Sequence, residues 1–311
     1  MSYDFTGKRV FIAGHKGMVG SALVRRLNNE NCETVTADRT QLDLCNQTAV
    51  HALFKTENID VVFLAAAKVG GIHANNTYPA EFIYENLAIQ TNIIHGSFKA
   101  GIQKLIFLGS SCIYPKNCPQ PIKEEYLLSG YLEKTNEAYA IAKIAGLKMV
   151  EYYRKQYGVD YSAVMPTNLY GINDTYSDKN SHVIPALILK MHQAKITKSP
   201  NVMLWGTGTP KREFLYADDL ADACVFLAKN YSGEGFINIG TGTDLTIAEL
   251  ARHIKEVVGY EGDVCFDPEM PDGTPRKLLD VSRLNALGWQ AKTTLSDGLK
   301  IAYSDFLQRA G

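Results

Sequence analysis

The chain has 311 residues, of which 46% are hydrophobic, and its 32 Lys and Arg residues nearly balance 33 Asp and Glu residues. This length can bury a sizeable core, while the balanced charge argues against a nucleic-acid or membrane partner. No apolar run approaches the roughly 18 residues of a membrane span, and residues 1–5 lack the pattern of a signal peptide. Six scattered cysteines without a C-x-x-C spacing predict reduced thiols in a cytoplasmic protein.

The first predicted element is a short buried strand over residues 8–13. A glycine-rich turn follows, Gly14-His15-Lys16-Gly17-Met18-Val19-Gly20, and residues 21–27 then have helical periodicity. Glycines at such a turn let the backbone approach a pyrophosphate, which the helix N-terminus stabilises. The spacing G-x-x-G-x-x-G departs from the usual G-x-G-x-x-G. By itself it therefore leaves open a dinucleotide-binding turn and a glycine-rich turn without a ligand.

Apolar strands and helices alternate along the rest of the chain. The patterns predict strands at 34–37, 60–67, 104–108, 161–165, 202–205 and 236–240, and helices at 80–100, 137–157, 183–194 and 245–258. Strands separated by helices predict an α/β fold, a Rossmann-type doubly wound parallel sheet with a smaller C-terminal substrate-binding α/β lobe. We assign residues 1–171 and about 218–242 to the Rossmann domain, and about 172–217 and 243–311 to the smaller lobe.

The pair Tyr139 and Lys143 is the most informative feature of the sequence for the chemistry of the site. Residues four apart share one face of a helix, and an ammonium held near a phenol favours the phenolate, which lowers the tyrosine pKa from its free value of about 10. Such a tyrosine can exchange a proton with a carbonyl or alcohol oxygen, which Ser110 could also hold. A lone Tyr-x-x-x-Lys pair is usually ordinary helix surface, so the pair indicates hydride chemistry only together with a nicotinamide cofactor.

The glycine turn, the serine loop and Tyr-x-x-x-Lys together resemble the extended short-chain dehydrogenases/reductases, which act mostly on nucleotide sugars. Longer strings resemble the branch of that family that makes GDP-L-fucose from GDP-4-keto-6-deoxy-D-mannose by 3,5-epimerisation and 4-reduction. These strings lie at residues 65–72, 75–79, 109–115, 165–171, 180–185 and 272–277. The resemblance covers nearly the whole chain, and it implies NADP(H) as cofactor, a GDP-sugar substrate and a homodimer built on the two long helices.

The resemblance also implies a role for each catalytic residue. A ketone at sugar C4 acidifies the hydrogens on C3 and C5, and Cys112 and His182 match the base and the acid that invert these carbons. Tyr139 would protonate the developing alkoxide, Lys143 would tune Tyr139 and hold the nicotinamide ribose, and Ser110 would hydrogen-bond the C4 oxygen. Without the resemblance, Cys112 would be interpreted as a small buried hydrophobe and His182 as a helix N-terminal residue.

Further residues match cofactor or substrate contacts, and no metal is expected. Arg39 matches the residue that meets the NADP 2′-phosphate and Lys16 can assist, whereas the adjacent Asp38 would favour NAD. The cofactor set contains the turn 14–20 with Arg39, Ala65, Leu108, Gly109, Ser110, Lys143, Pro166, Asn168, Leu169 and His182. The substrate set contains Ser111, Asn136, Lys190, Trp205, Arg212, Asp272 and Lys277. Lys190 stands where the family usually has arginine, so it lacks the bidentate fork.

Three other activities remain open. A GDP-sugar 4-ketoreductase without epimerisation would need neither Cys112 nor His182. A 4-epimerase would keep NAD bound throughout its cycle. A non-catalytic NADP-binding regulator on the same fold would have no use for Ser110, Tyr139 and Lys143.

Overall fold

The computed structural model describes residues 2–177, 181–270 and 272–310, so Asn180 of the string 180–185 lies outside the described residues. The strands are β1 (Arg9–Ala13), β2 (Glu33–Val35), β3 (Val61–Leu64), β4 (Lys104–Leu108), β5 (Asp160–Pro166), β6 (Asn168–Tyr170), β7 (Asn201–Trp205), β8 (Lys211–Arg212), β9 (Phe214–Tyr216), β10 (Phe236–Ile239), β11 (Leu245–Thr246), β12 (Asp263–Asp267) and β13 (Arg276–Lys277). The helices are α1 (Met18–Leu27), α2 (Gln47–Thr56), α3 (Ile72–Thr77), α4 (Pro79–Lys99), α5 (Glu137–Tyr157), α6 (Val183–Ile196), α7 (Ala217–Asn230), α8 (Ile247–Val258), α9 (Ser282–Ala286) and α10 (Leu295–Ala310).

The main sheet has six strands in the order β2-β1-β3-β4-β5-β10, and every neighbouring pair is parallel. All residues of β3 and β4 are buried, as expected for strands that helices cover on both faces. The chain leaves β1 for β2 on one side and then returns to β3 on the other. The crevice at the carboxyl ends of β1 and β3 is therefore a topological switch point, where such sheets bind ligands. The predicted doubly wound parallel sheet is confirmed.

Two apolar cores hold helices against this sheet. On one face, Phe107 of β4 packs with Ile93 of α4 and Leu147 of α5. On the other face, Ile12 of β1 packs with residues of α1 and α7. Because α4 and α5 pack side by side over β4 and β5, the first turn of α5 is held beside the carboxyl end of β4.

A third core builds the smaller lobe. Met191 of α6, Ile254 of α8 and Phe306 of α10 meet in it, next to the parallel pair β7 and β12. A small sheet of β11, β8 and β13 lies at the edge of this lobe. The segment that contains Leu279 and Trp289 packs instead in the two cores of the main sheet. The chain thus crosses between the two lobes more than once.

The sequence placed α5 correctly and extended α8 too far. Residues 245–246 form β11 rather than helix, and α8 begins at Ile247 because Thr246 caps it. The Thr246 hydroxyl accepts from the Glu249 amide at 3.1 Å, and the Glu249 carboxylate accepts from the Thr246 amide at 2.8 Å. This reciprocal capping box fixes the helix start. Within the three described segments of the chain, no helix combines the length and apolar character of a membrane span.

Candidate active site

A cavity of about 2230 Å³ opens at the carboxyl ends of the main sheet, against the smaller lobe. Its volume exceeds the roughly 300–1,000 Å³ of a site for one small molecule, so it has room for two nucleotide-sized ligands. Every residue of the predicted cofactor and substrate sets lines it except Lys190. The Lys190 ammonium donates to the Met203 carbonyl of β7, and its contact with the substrate stays a prediction.

The glycine turn is packed too tightly for any side chain at two positions. Gly14 has φ +89°, and a Cβ there would lie 2.8 Å from the Cα of Ala66, just after β3. A Cβ on Gly20 would lie 2.0 Å from the Gly14 carbonyl oxygen. Strand, turn and helix therefore form a backbone cradle whose helix N-terminus faces the cavity, which fits a pyrophosphate.

The loop after β2 contains both residues that discriminate between NAD and NADP. The Asp38 carboxylate accepts from the Lys16 ammonium at 2.7 Å and from the Thr40 amide at 2.9 Å. The hydrogen bond from Lys16, followed by those from Thr40, lowers the pKa of Asp38. Arg39 is exposed along the same wall of the cavity. Asp38 is thus already paired with a cation, while the guanidinium of Arg39 is presented to the cavity.

Lys143 does not act on Tyr139 as expected from the sequence. Its side chain is buried, and its ammonium donates to the Leu108 carbonyl at 2.8 Å and lies 5.8 Å from the centre of the Tyr139 ring. Burial lowers the pKa of Lys143 to about 8. Burial and the neighbouring Cys112 raise the pKa of Tyr139, and a hydrogen bond with Ser110 only partly offsets them. The expected lowering of the Tyr139 pKa is therefore wrong for this arrangement, in which the phenol keeps its proton.

Ser110 and Cys112 lie together at the end of β4. The Ser110 hydroxyl caps a single 3₁₀ turn, Ser111–Ile113, and accepts from the Cys112 amide at 3.4 Å. Cys112 is buried, and burial raises the pKa of its thiol, while Lys277, Ser110 and Lys143 act in the opposite direction. This places a thiol, a phenol and a hydroxyl around one point of the cavity.

His182 precedes α6 on the opposite lobe and lines the same cavity. It is the N-cap residue of that helix but makes no capping hydrogen bond with its side chain, so the interpretation as a backbone-satisfied residue does not hold. Its ring surface is exposed toward the cavity, although the protein around it lowers its pKa by desolvation. His182 therefore lines the cavity from the lobe opposite Cys112.

The outer part of the cavity contains an exposed aromatic ring and cations. Trp205 at the end of β7 is 69% exposed. Arg212 and Lys277 are register partners on β8 and β13. The Asp272 carboxylate accepts from the Thr207 amide at 2.9 Å. A flat ring beside two cations can accept a nucleobase and a diphosphate.

Three asparagine side chains line the cavity, and they differ in the hydrogen bonds that their amide groups make. The Asn168 amide group donates to the Glu213 carbonyl at 2.8 Å, so it fixes β6 to its neighbour. The Asn136 side-chain oxygen is buried without a hydrogen-bond partner in the described chain. Asn75, for which the sequence predicts no role, donates to the Gly70 and Gly71 carbonyls at 2.8 and 3.0 Å. The paired asparagines of the string 75–79 were the only sequence signal for Asn75.

The chain belongs to the NAD dependent epimerase/dehydratase family, whose model matches residues 10–240. It is 55% identical over 305 residues to the GDP-L-fucose synthase of Sinorhizobium fredii, covering 98% of this chain and 97% of the relative. Among solved structures, it resembles a GDP-6-OMe-4-keto-L-xylo-heptose reductase from C. jejuni with a TM-score of 0.93, 38% identity and 99% and 100% of the two chains covered. It also resembles a GDP-L-fucose synthetase from Naegleria fowleri bound to NADP, with a TM-score of 0.91, 25% identity and 99% and 97% covered.

Proposed function

We propose that this protein converts GDP-4-keto-6-deoxy-D-mannose to GDP-L-fucose, by epimerisation at C3 and C5 followed by reduction at C4 with NADPH. The observation that carries the proposal is the grouping of Cys112, His182, Ser110 and Tyr139 around one cavity that also contains the glycine cradle. A reductase alone needs no thiol and no imidazole at the sugar. The GDP-L-fucose synthases among the relatives support the same substrate.

NADPH, when bound, supplies the hydride that reaches C4. The amides at the start of α1 would hold its pyrophosphate, and Arg39 with Lys16 would hold its 2′-phosphate. Lys143, already fixed to the Leu108 carbonyl, would donate to the nicotinamide ribose. Ala65 directly follows β3 and Leu108 ends the neighbouring β4, and both would line the cofactor path. Gly109, Pro166 and Leu169 would line the cofactor path as well.

The epimerisation uses groups from both lobes. The Cys112 thiolate would take the proton from C3 or C5, and His182 would deliver a proton to the other face of that carbon. The electron pair delocalises onto the C4 oxygen, which Ser110 and Tyr139 would hold by hydrogen bonds. Each inversion removes one proton and returns one, so it consumes no reductant.

The reduction uses Tyr139 as an acid. Because its pKa is raised, the phenol is protonated at neutral pH and can donate to the C4 oxygen as the hydride arrives. This is the protonation state that reduction requires. A phenol that was already ionised could not donate this proton.

The GDP group would occupy the outer part of the cavity. Trp205 would stack on guanine, Arg212 and Lys277 would bind the diphosphate, and Asp272 would bind the nucleoside. Ser111 and Asn136 would hydrogen-bond the sugar. Lys190 would have to leave the Met203 carbonyl to join them. The division of the chain into cofactor- and substrate-binding parts stays a prediction.

The test is hydrogen exchange in D2O without NADPH. The wild type is expected to incorporate deuterium at C3 and C5 of the ketosugar, and Cys112→Ala is expected to lose this incorporation. Cys118→Ala, which removes another free thiol of the same segment, is the control. Wild-type enzyme that reduces the ketosugar without incorporating deuterium would establish the simple 4-ketoreductase. The absence of NADPH oxidation with this sugar would favour the non-catalytic regulator.

We also propose a homodimer formed by the outer faces of α4 and α5. These faces expose Tyr84, Ile141 and Tyr152, which are 67%, 43% and 61% exposed. Large apolar side chains grouped on two parallel-packed helices are typical of an interface. Tyr152→Glu should produce a monomer in analytical ultracentrifugation, whereas Tyr131→Ser, on a loop away from these helices, should leave a dimer. The six free cysteines support a reducing, cytoplasmic location.

A further inference from the structure

The two cations proposed to bind the diphosphate come from a very small sheet. β8 consists of Lys211 and Arg212, and it lies between β11 and β13, which also have two residues each. Arg212 is the register partner of Lys277 on β13 and of Leu245 on β11. Two-residue strands share few ladder hydrogen bonds, and two neighbouring cations repel each other. Further contacts are therefore needed to hold these strands in register.

Glu213, the residue that follows Arg212, supplies such contacts. It is completely buried, and its two carboxylate oxygens accept from the chain segments on opposite sides of β8. One oxygen accepts from the Gly242 amide at 2.7 Å, in the segment that leads into β11. The other accepts from the Leu279 amide at 3.0 Å, in the segment that leaves β13. The carboxylate thus extends the short ladder of β8 on both sides.

Glu213 also ties this small sheet to the main sheet. Its backbone carbonyl accepts from the Asn168 amide group at 2.8 Å and from the hydroxyl of Thr167, which directly follows β5, at 3.2 Å. Gly240 directly follows β10, and a Cβ there would lie 2.2 Å from a carboxylate oxygen of Glu213. The backbone and the side chain of Glu213 therefore both contact the carboxyl edge of the main sheet.

The chemistry of the side chain fits this position. Among the described residues, the Glu213 carboxylate forms hydrogen bonds with amide and hydroxyl groups and no ion pair. Burial of a charge without a cation is costly. An ionised carboxylate, however, can accept with both oxygens, whereas glutamine offers one acceptor and one donor. A glutamate is therefore suited to hold two N–H groups from two different segments at once.

We propose that Glu213 is a positioning residue that holds Arg212 and Lys277 side by side for a nucleoside diphosphate. Because Glu213 itself is fully buried, it acts through the backbone of the segments on either side of β8. The inference rests on the proposed function for the roles of Arg212 and Lys277, and it adds the residue on which their relative position depends.

The test is binding of GDP to the full-length protein by isothermal titration calorimetry, with NADPH binding measured on the same samples. Glu213→Gln keeps the size of the side chain but turns one acceptor into a donor, so it should weaken GDP binding about tenfold and leave NADPH binding within about threefold of the wild type. Guanosine, which has no phosphate, should bind the variant and the wild type equally. In turnover, the KM for the GDP-sugar should rise while kcat changes little.

The matched control is Glu124→Gln. Glu124 is also a buried carboxylate, and it accepts from the Asn238 amide of β10 at 3.0 Å rather than from a neighbour of β8. This variant should leave the affinities for GDP and NADPH within about threefold of the wild type. Glu213→Asp keeps the charge but shortens the side chain, so it should also weaken GDP binding, and it decides the question if Glu213→Gln does not fold.

Equal GDP affinities of the wild type and both Glu213 variants would overturn the inference. So would an equal loss of affinity for GDP, guanosine and NADPH, since that loss would show a general structural role. UDP that binds the wild type as tightly as GDP, and is weakened as much by Glu213→Gln, would support the positioning role and refute the guanine assignment. A wild type that binds neither diphosphate would overturn both.

Discussion

Replacing Lys143 by methionine should make the protein more stable while abolishing its activity. The Lys143 side chain is only 4% exposed, and no carboxylate pairs with its ammonium among the described residues. Its compensation consists of one hydrogen bond to the Leu108 carbonyl and contacts with two aromatic rings. A methionine of similar length keeps the packing and removes the buried charge.

The size of the effect follows from the pKa. Burial lowers the pKa of Lys143 from its ordinary value of 10.5 to about 8, which corresponds to about 3 kcal/mol of destabilisation of the charged form. The methionine leaves the Leu108 carbonyl without its donor, which costs about 1–2 kcal/mol. The expected net gain in the free energy of unfolding at neutral pH is therefore about 1–2 kcal/mol.

The pH dependence has a definite sign. Below about pH 8 both the folded and the unfolded states carry the charged lysine, so the full free-energy cost of burying the charge applies. Between that value and the ordinary value of 10.5, the unfolded state binds more protons, so the contribution of this group to wild-type stability rises with pH. The advantage of the methionine variant should therefore shrink across this window and be lost above it.

Urea unfolding of the protein without nucleotide, at about pH 7 and about pH 10, measures this difference. Lys148→Met is the control, because its ammonium forms a half-exposed pair with Glu151 at 2.7 Å and should change stability by less than about 1 kcal/mol. A Lys143→Met protein that is less stable than the wild type at neutral pH would refute the reasoning. So would a stability difference that does not change with pH.

Two further predictions concern the cofactor site. Gly20→Ala would place a Cβ 2.0 Å from the Gly14 carbonyl oxygen, so the turn must shift, and NADPH binding measured by fluorescence titration should weaken about tenfold or more. Ser21→Ala, on the same helix, should bind within about threefold of the wild type, and equal binding by both variants would contradict the packing argument. Asp38→Asn should free Lys16 for the 2′-phosphate, so NADPH binding should tighten about three- to fivefold while NADH binding does not. Weaker NADPH binding by Asp38→Asn would show that the Lys16–Asp38 pair instead organises the site.

The sequence was sufficient to predict the main sheet, because each of its strands is a short apolar run between helices. The same pattern placed α5 at residues 137–157, its observed bounds. It could not give the two-residue strands β8, β11 and β13, because such strands have no periodicity and depend on pairing with distant segments. It also could not show that Leu279 and Trp289 return to the cores of the main sheet, since packing partners far apart in the chain leave no local pattern.

For the site, nearly all the residues that the sequence analysis selected line the cavity, but the sequence did not give their charge states. The Tyr-x-x-x-Lys spacing predicted that the Lys143 ammonium acts on the Tyr139 phenol. In the structure this ammonium donates to the backbone carbonyl of Leu108, which lies outside the motif. Likewise Lys190 matched a family position near the pyrophosphate, and in the structure its ammonium donates to the Met203 carbonyl of β7. Both differences arise because a long flexible lysine takes the nearest acceptor that folding provides.

The proposed reaction requires opposite protonation states of two buried groups, and burial alone provides only one of them. Desolvation keeps Tyr139 protonated, which suits an acid, and it acts in the same direction on Cys112, where a base is needed. A single cation placed between them would ionise the phenol along with the thiol. The surroundings act differently on the two groups, because Lys277, Ser110 and Lys143 favour the Cys112 thiolate, whereas Cys112 itself opposes ionisation of Tyr139. The acid and the base can then differ at one pH although they share one cavity, because a negative sulfur close to the phenol helps to keep the phenol protonated.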